Sequence, residues 1–235
     1  MTSNRFTFWL SLYFLLVLNF PLQLQLIGII SETYADVSLG FIISIPLFLG
    51  TLFFLLFSLY TFPFLLKPIS IGLVLISSLV TYAMHSYGTV FDYSMIQNVF
   101  ETNYGEATAY LSASAVGTFL ILGVLPSIVI ARTKVVFKPV LREVAHKSLA
   151  LVASIAVIGV IALLFFKDYS AFGRNNAYLN KMIIPVEFVA ASVKYVDRNI
   201  LSEPPVYKQL GTDAQVAARA SKKPQLMVLV LGETA

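Results

Sequence analysis

Residues 91–106 read FDYSMIQNVFETNYGE, a polar, aromatic-rich stretch lodged between long apolar runs, and its placement decides the fold. On a helix, Asn98, Thr102 and Glu106 fall at i, i+4 and i+8, one strip of amide, hydroxyl and carboxylate. Met95, Ile96, Val99 and Phe100 form an apolar face beside it. The pattern predicts a helix lying in a membrane interface, its polar edge toward whatever sits above the headgroups. That edge is a binding strip or a solvated one; spacing alone supports either.

Outward from this stretch lie runs long enough to cross a hydrocarbon core of about 30 Å, which takes about 20 apolar residues. Phe8–Ile30, Val37–Tyr60 and Ile69–Tyr87 precede it, and Leu111–Ala131 and Leu149–Phe166 follow. The first run exceeds the 7 to about 15 apolar residues of a signal peptide. Similar runs follow it, so it reads as an uncleaved first span. Asn19, Pro21, Gln23 and Gln25 interrupt it. At that depth polar side chains are expected to face other helices or a cavity rather than lipid, with the proline kinking the helix.

Composition agrees with five spans. Of 235 residues, 58% are hydrophobic and 12% charged, with mean hydropathy +0.83, values of a membrane protein. The net charge of +4 does not point to nucleic acid, because the basic residues sit beside apolar spans and form no separate aromatic-interleaved patch. With no cysteine there is no disulfide, thiolate metal site or thiol nucleophile.

Charge also orients the spans. Arg5, Lys67, Arg132, Lys134, Lys138, Arg142 and Lys147 lie at the start, in the second loop or in the fourth. The first loop carries Glu32 and Asp36, the third Asp92, Glu101 and Glu106, and neither holds a Lys or Arg. Basic loops stay in the cytoplasm. The amino terminus is therefore expected inside, and residues 91–106 and everything after the fifth span outside, in a bacterium the periplasm.

From Lys167, KDYSAFGRNNAYLNK reads as a polar juxtamembrane loop whose Arg174, Asn175 and Asn176 meet either headgroup oxygens or water. Pro185 opens a second surface-lying helix to about Asn199, with Phe188, Val189, Ser192, Val193, Val196 and Ile200 on one side. Pro204 and Pro205 stop it, and GTDAQVAARASKKP is a hydrophilic connector. Leu226–Leu231 then suits a strand buried on both faces, as in a parallel sheet. A buried strand cannot stand alone, so the chain is expected to stop where an α/β domain begins. Working groups lie just past strand ends in such sheets, the place of Gly232, Glu233 and Thr234; Glu233 is a candidate cation ligand. The expected division is a five-helix membrane domain over 1–167 with the interfacial helix at about 91–106, a periplasmic helix and linker over 168–224, and the first strand over 225–235.

With FDYSMIQNVFETNYGEA, KDYSAFGRNN and VLVLGETA in this order, the chain resembles the membrane half of the lipid A phosphoethanolamine transferases, bacterial inner-membrane enzymes linked to polymyxin resistance. The resemblance implies an all-α membrane domain that leads into an alkaline-phosphatase-like α/β catalytic domain. It assigns Asn98, Thr102 and Glu106 to the phosphoethanolamine site and makes Glu233 a zinc ligand. Thr234 does not match the family's threonine nucleophile, so no catalytic residue is expected here and these 235 residues are expected to be inactive alone. In the complete enzyme, Zn2+ would activate the threonine to take phosphoethanolamine from phosphatidylethanolamine, releasing diacylglycerol, and pass it to a lipid A phosphate. Its partners are then donor, acceptor and membrane lipids, and no nucleic acid. Three alternatives stay open: transfer to a core sugar or other glycan, a non-catalytic anchor, and a small transporter. The last is suggested by Pro21, Pro46 and Pro126 with Asn19, Gln23 and Gln25, but has neither an inverted repeat nor an intramembrane acid in its favour.

Overall fold

A computed structural model of the chain describes residues 1–33, 38–102, 105, 112–202 and 213. Helix α1 (Ser3–Tyr13) continues through π-helical Phe14–Leu18, and α2 (Phe20–Thr33) leaves it at 61° after Asn19. Pro21 explains the place of the break, since it has no N–H to donate to Val17 and its ring crowds that carbonyl. Carbonyls freed inside hydrocarbon must find partners in the protein. Asn19 Nδ2 donates to the Phe14 carbonyl at 2.9 Å, Gln23 Nε2 to that of Leu15, and Thr81 Oγ1 to that of Leu18 at 2.7 Å. Asn19 and Gln23 thus face protein, as expected. Gln25 does not: it is exposed, because Leu22 and Leu26 take the side of α2 that packs on the core.

Helix α3 (Leu39–Leu59) starts at Ser38, whose hydroxyl accepts from the Phe41 N–H at 3.3 Å. Helix α4 (Leu66–Tyr87) ends at Gly88, whose φ of +66° suits a residue without Cβ. After the short α5 (Tyr93–Glu101), α6 (Ala113–Thr118), a π-helical stretch Phe119–Val124 and α7 (Leu125–Arg132) make one span. Helix α8 (Val140–Asn175) is much longer than the expected Leu149–Phe166. Hydropathy marks only its apolar middle; Phe165 leaves helical geometry near the expected end, yet the helix resumes to Asn175. The stretch from Lys167 is therefore helix, not loop, as far as Asn175. Tyr169 ties that part to α3, edge-on to Phe41 at 5.0 Å and within 3.1 Å of the Ser44 hydroxyl. A 3-10 turn (Ala177–Met182), α9 (Val186–Val196) and a π-helical turn (Asp197–Leu201) follow.

Four of these helices are long and apolar enough to cross a membrane, five if the bent α1–α2 pair counts as one. Among the described residues the chain is all helical apart from one parallel bridge, Thr2 to Val136. The protein is a multi-pass membrane protein. The chain divides into two units, Met1–Leu201 and Ser202–Ala235. Within the first, Phe14, Phe53 and Phe57 form a fully buried centre, with Phe14 and Phe57 rings 4.8 Å apart. The outward sides of α3 and α8 remain apolar, as lipid contact requires. The expected strand at Leu226–Leu231 and Glu233 lie outside the described residues.

Backbone contacts bring the basic segments to one end. The Met1 amine donates to the Lys134 carbonyl at 2.9 Å, Lys67 Nζ to that of Ala131 at 2.8 Å, and Lys147 Nζ to that of Thr61. The buried Glu143 carboxylate collects the Ser3 hydroxyl and the Lys138 N–H. Helices α5 and α9 lie toward the opposite end, beyond the carboxyl end of α4.

Candidate headgroup platform

Helix α5 begins at Asp92, one carboxylate oxygen of which accepts from the Met95 N–H at 3.2 Å, a helix cap. The other accepts from Lys181 Nζ at 3.0 Å. That ammonium holds the Asp92 carboxyl below the usual carboxylate range, and Asp92 in return raises Lys181.

The helix stops sooner than its spacing predicts. Thr102 is extended (φ −65°, ψ 133°), so α5 ends at Glu101 rather than continuing through 106. Both the N–H and the hydroxyl of Thr102 bond to the Asn98 carbonyl, at 2.8 and 2.5 Å, and close the last turn of α5. Asn98 and Thr102 therefore stay adjacent, while Glu106 lies outside the described residues. Asn98 is exposed on the side of α5 away from Ile96, which is buried against the bundle. Val99 and Phe100, expected on one apolar face with Ile96, stay exposed. Phe100 stacks on Tyr195 of α9 with ring centroids 4.8 Å apart.

Helix α9 deviates in the same sense. Phe188 and Ala191 face the core, while Val193 and Ile200 of the expected apolar side are 65% and 67% exposed. That leaves an apolar edge suited to dip among lipid chains. Its polar edge meets α5: Lys194 Nζ and Arg198 Cζ lie 5.5 and 5.4 Å from the Tyr93 ring centre, and Asn199 Nδ2 donates to the Tyr93 hydroxyl at 3.0 Å. The sequence does contain one signal for this, Lys194 and Arg198 at i, i+4 on an amphipathic helix. The Asp92–Lys181 pair, 89 residues apart, has none.

No group of three or more His, Cys, Asp or Glu able to hold a metal occurs among the described residues. The described helices thus do not build the zinc centre that the resemblance implies, and Glu233, its candidate ligand, lies outside them. What they offer is an exposed amide, a hydroxyl and a row of cations and aromatic rings on two short helices at one end of a membrane bundle.

The fold that carries this combination is a multi-pass, all-helical membrane domain. Comparison with known proteins names the class: residues 49–200 match the family model described as phosphoethanolamine transferase EptA/EptB. The chain is 31% identical to the phosphatidylethanolamine transferase Mcr-1 of Escherichia coli over 212 residues, covering 88% of this chain and 39% of that protein. It is 28% identical to the phosphoethanolamine transferase EptA of Escherichia coli K12 over 197 residues, 82% of this chain and 36% of that one. Among solved structures, the integral membrane protein lipooligosaccharide phosphoethanolamine transferase A (EptA) of Neisseria meningitidis superposes with a TM-score of 0.78 at 28% identity, covering 83% of this chain and 37% of that one. The chain belongs to the EptA/EptB phosphoethanolamine transferase family, as its N-terminal membrane domain. It spans less than two fifths of the length of these relatives, 36% to 39%.

Proposed function

We propose that this chain is the membrane domain of an inner-membrane enzyme that moves phosphoethanolamine from phosphatidylethanolamine to a lipid A phosphate, altering the outer membrane and conferring polymyxin resistance. The observation that carries this reading is the pairing of Asn98 and Thr102 on an exposed, amphipathic α5 at the end of the bundle opposite the basic one. A phosphoethanolamine headgroup presents phosphoryl oxygens that accept and an ammonium that donates. The Asn98 amide supplies both complements. The Thr102 hydroxyl spends its proton on the Asn98 carbonyl, which leaves its oxygen free to accept from the ammonium. Glu106 would add the countercharge, and Glu233 would serve as a zinc ligand in the complete enzyme.

In this reading residues 1–167 are the membrane domain, 168–224 the surface helix and linker, and 225–235 the first strand of the catalytic domain. The amino terminus is cytoplasmic and the platform periplasmic. Both substrates are amphiphiles, which is the physical reason to fasten a transferase to membrane spans and interfacial helices: the reacting group must reach headgroups at the bilayer surface.

The test is mass spectrometry of lipid A from cells expressing the full-length protein. The expected result is a mass increase of one phosphoethanolamine unit, strongly reduced by Asn98→Ala with Thr102→Ala at normal expression. A gain on a core sugar would redirect the acceptor. Unchanged lipid A modification in the folded double variant would reduce this domain to an anchor.

A further inference from the structure

We propose that Lys194 and Arg198 form a clamp for a lipid phosphomonoester, a second headgroup subsite beside the Asn98–Thr102 pair; this rests on the reading of that end as headgroup-handling. Lys194 near the end of α9 and Arg198 in the π-helical turn that follows stand four residues apart and both lie over one ring, that of Tyr93, at 5.5 and 5.4 Å. Attraction to the ring's π face, together with the 3.0 Å hydrogen bond from Asn199 to the Tyr93 hydroxyl, holds the charged groups in register without using up their N–H donors. Both residues are exposed. The two salt bridges among the described residues, Lys147 with Glu143 and Lys181 with Asp92, are made by other groups. Asp197 stands on the same turn, and the patch keeps a net positive charge.

Donor count and height in the membrane select the ligand. Lys and Arg together present eight N–H donors, more than the two free oxygens of a phosphodiester can take up, whereas a phosphomonoester offers three oxygens and close to two charges. Val193, Ile200 and Leu201 are 65%, 67% and 73% exposed and turn the same helix toward lipid chains. The cations then ride at headgroup level, stems along the apolar edge and heads in water. A membrane-bound monoester reaches them there, and the apolar edge favours it over free phosphate.

The purified chain in zwitterionic dodecylphosphocholine micelles, titrated by calorimetry with dihexanoyl phosphatidic acid, tests this directly. Dihexanoyl phosphatidylglycerol serves as the diester control and glycerol 3-phosphate as the soluble one. Expected is saturable binding of phosphatidic acid, weakened about tenfold or more by Lys194→Gln with Arg198→Gln, the loss of at least one charge-assisted hydrogen bond. Swapping the charges, Lys194→Arg with Arg198→Lys, should restore most of it, and helical circular dichroism should match across all variants. Unchanged affinity in the double Gln variant, equal binding of phosphatidylglycerol, or equal binding of glycerol 3-phosphate would each overturn the clamp. The titration reads no group transfer, so its failure and that of the transferase reading are separate results.

Discussion

The Asn19 side chain pairs with the backbone of Ile184 on both of its polar groups: Nδ2 donates to the Ile184 carbonyl at 2.6 Å, and the Ile184 N–H donates to Oδ1 at 2.9 Å. Asn19 is fully buried, and it stands where the first span breaks. One residue thus joins the bend of α1 to the segment that leads into α9, 165 positions along the chain. The same Nδ2 also caps the Phe14 carbonyl.

Replacing Asn19 by Ala would leave the buried N–H and carbonyl of Ile184 without their partner, while the Phe14 carbonyl keeps the Asn19 backbone N–H at 3.0 Å. Each such loss is worth about 1 kcal/mol, somewhat less inside a membrane bundle, so a total below about 2 kcal/mol is expected. Asn19→Asp should be no better, because it keeps the shape but loses both donors and faces two carbonyls with a carboxyl group. Thermal unfolding in detergent would read the difference; a native-like midpoint for Asn19→Ala would mean that the pairing contributes nothing to stability.

Two glycines separate two kinds of constraint. A Cβ on Gly123 would meet the Ser78 hydroxyl at 2.5 Å and the Ser78 Cβ at 3.3 Å, so Gly123→Ala should push the α6–α7 span from α4 at a cost of about 1–3 kcal/mol. Adding Ser78→Ala removes the shorter clash and should restore part of the loss. At Gly88 no neighbour lies within 4 Å but φ is +66°, so Gly88→Ala should cost about 1 kcal/mol from backbone strain alone, with no rescue by Ser78→Ala.

Much of this fold was legible because bilayer thickness imposes a length and apolarity that any one stretch must satisfy by itself. The spans at α3, α4 and α6–α7 follow from that rule. The bend at Asn19 was only half legible: Pro21 signals a disturbance, but the Ile184 partner that makes it tolerable is distant in sequence. The end of α5 was misread because 3.6-residue spacing places residues on a face and does not mark where a helix stops, here at Glu101 with Thr102 extended. The extension of α8 past Phe165 was missed because hydropathy marks the lipid-immersed length and not the helix, whose polar continuation is fixed by Tyr169 against Phe41 and Ser44. Of the candidate site, the adjacency of Asn98 and Thr102 was legible from spacing, and the approach of Lys194 and Arg198 to Tyr93 was not.

The Asp92–Lys181 bridge gives the platform a defined response to pH. Lys181 lowers the Asp92 pKa, so that contribution is complete above the usual carboxylate range and is lost as pH falls through the depressed value. Asp92 raises that of Lys181, so the lysine's part is complete below its usual value and is lost as pH climbs through the elevated one. The docking of α5 should be flat across neutral pH and loosen at both extremes. Asp92→Asn keeps an acceptor for the Met95 N–H while losing the charge, and should abolish the acid limb. Asp92→Ala also loses the cap, about 1 kcal/mol at all pH values. Unfolding midpoints followed across the acid range test this, and parallel curves for the native and Asp92→Asn chains would count against it.

The same geometry makes a prediction about sidedness. The Met1 amine, Lys67, Lys134 and Lys147 are tied into one end of the bundle, and basic loops resist transfer across the inner membrane. Helix α5 lies toward the other end, and its Ser94 is exposed. Because the chain contains no cysteine, single substitutions report position without background. Ser94→Cys should react with a membrane-impermeant maleimide on spheroplasts, while Lys134→Cys should react only after the membrane is opened. Labelling of Lys134→Cys alone would invert the orientation and put the platform in the cytoplasm, away from any periplasmic acceptor. Labelling of both in sealed spheroplasts would place two opposite ends of the bundle on one side of the bilayer, which a set of spanning helices cannot accommodate.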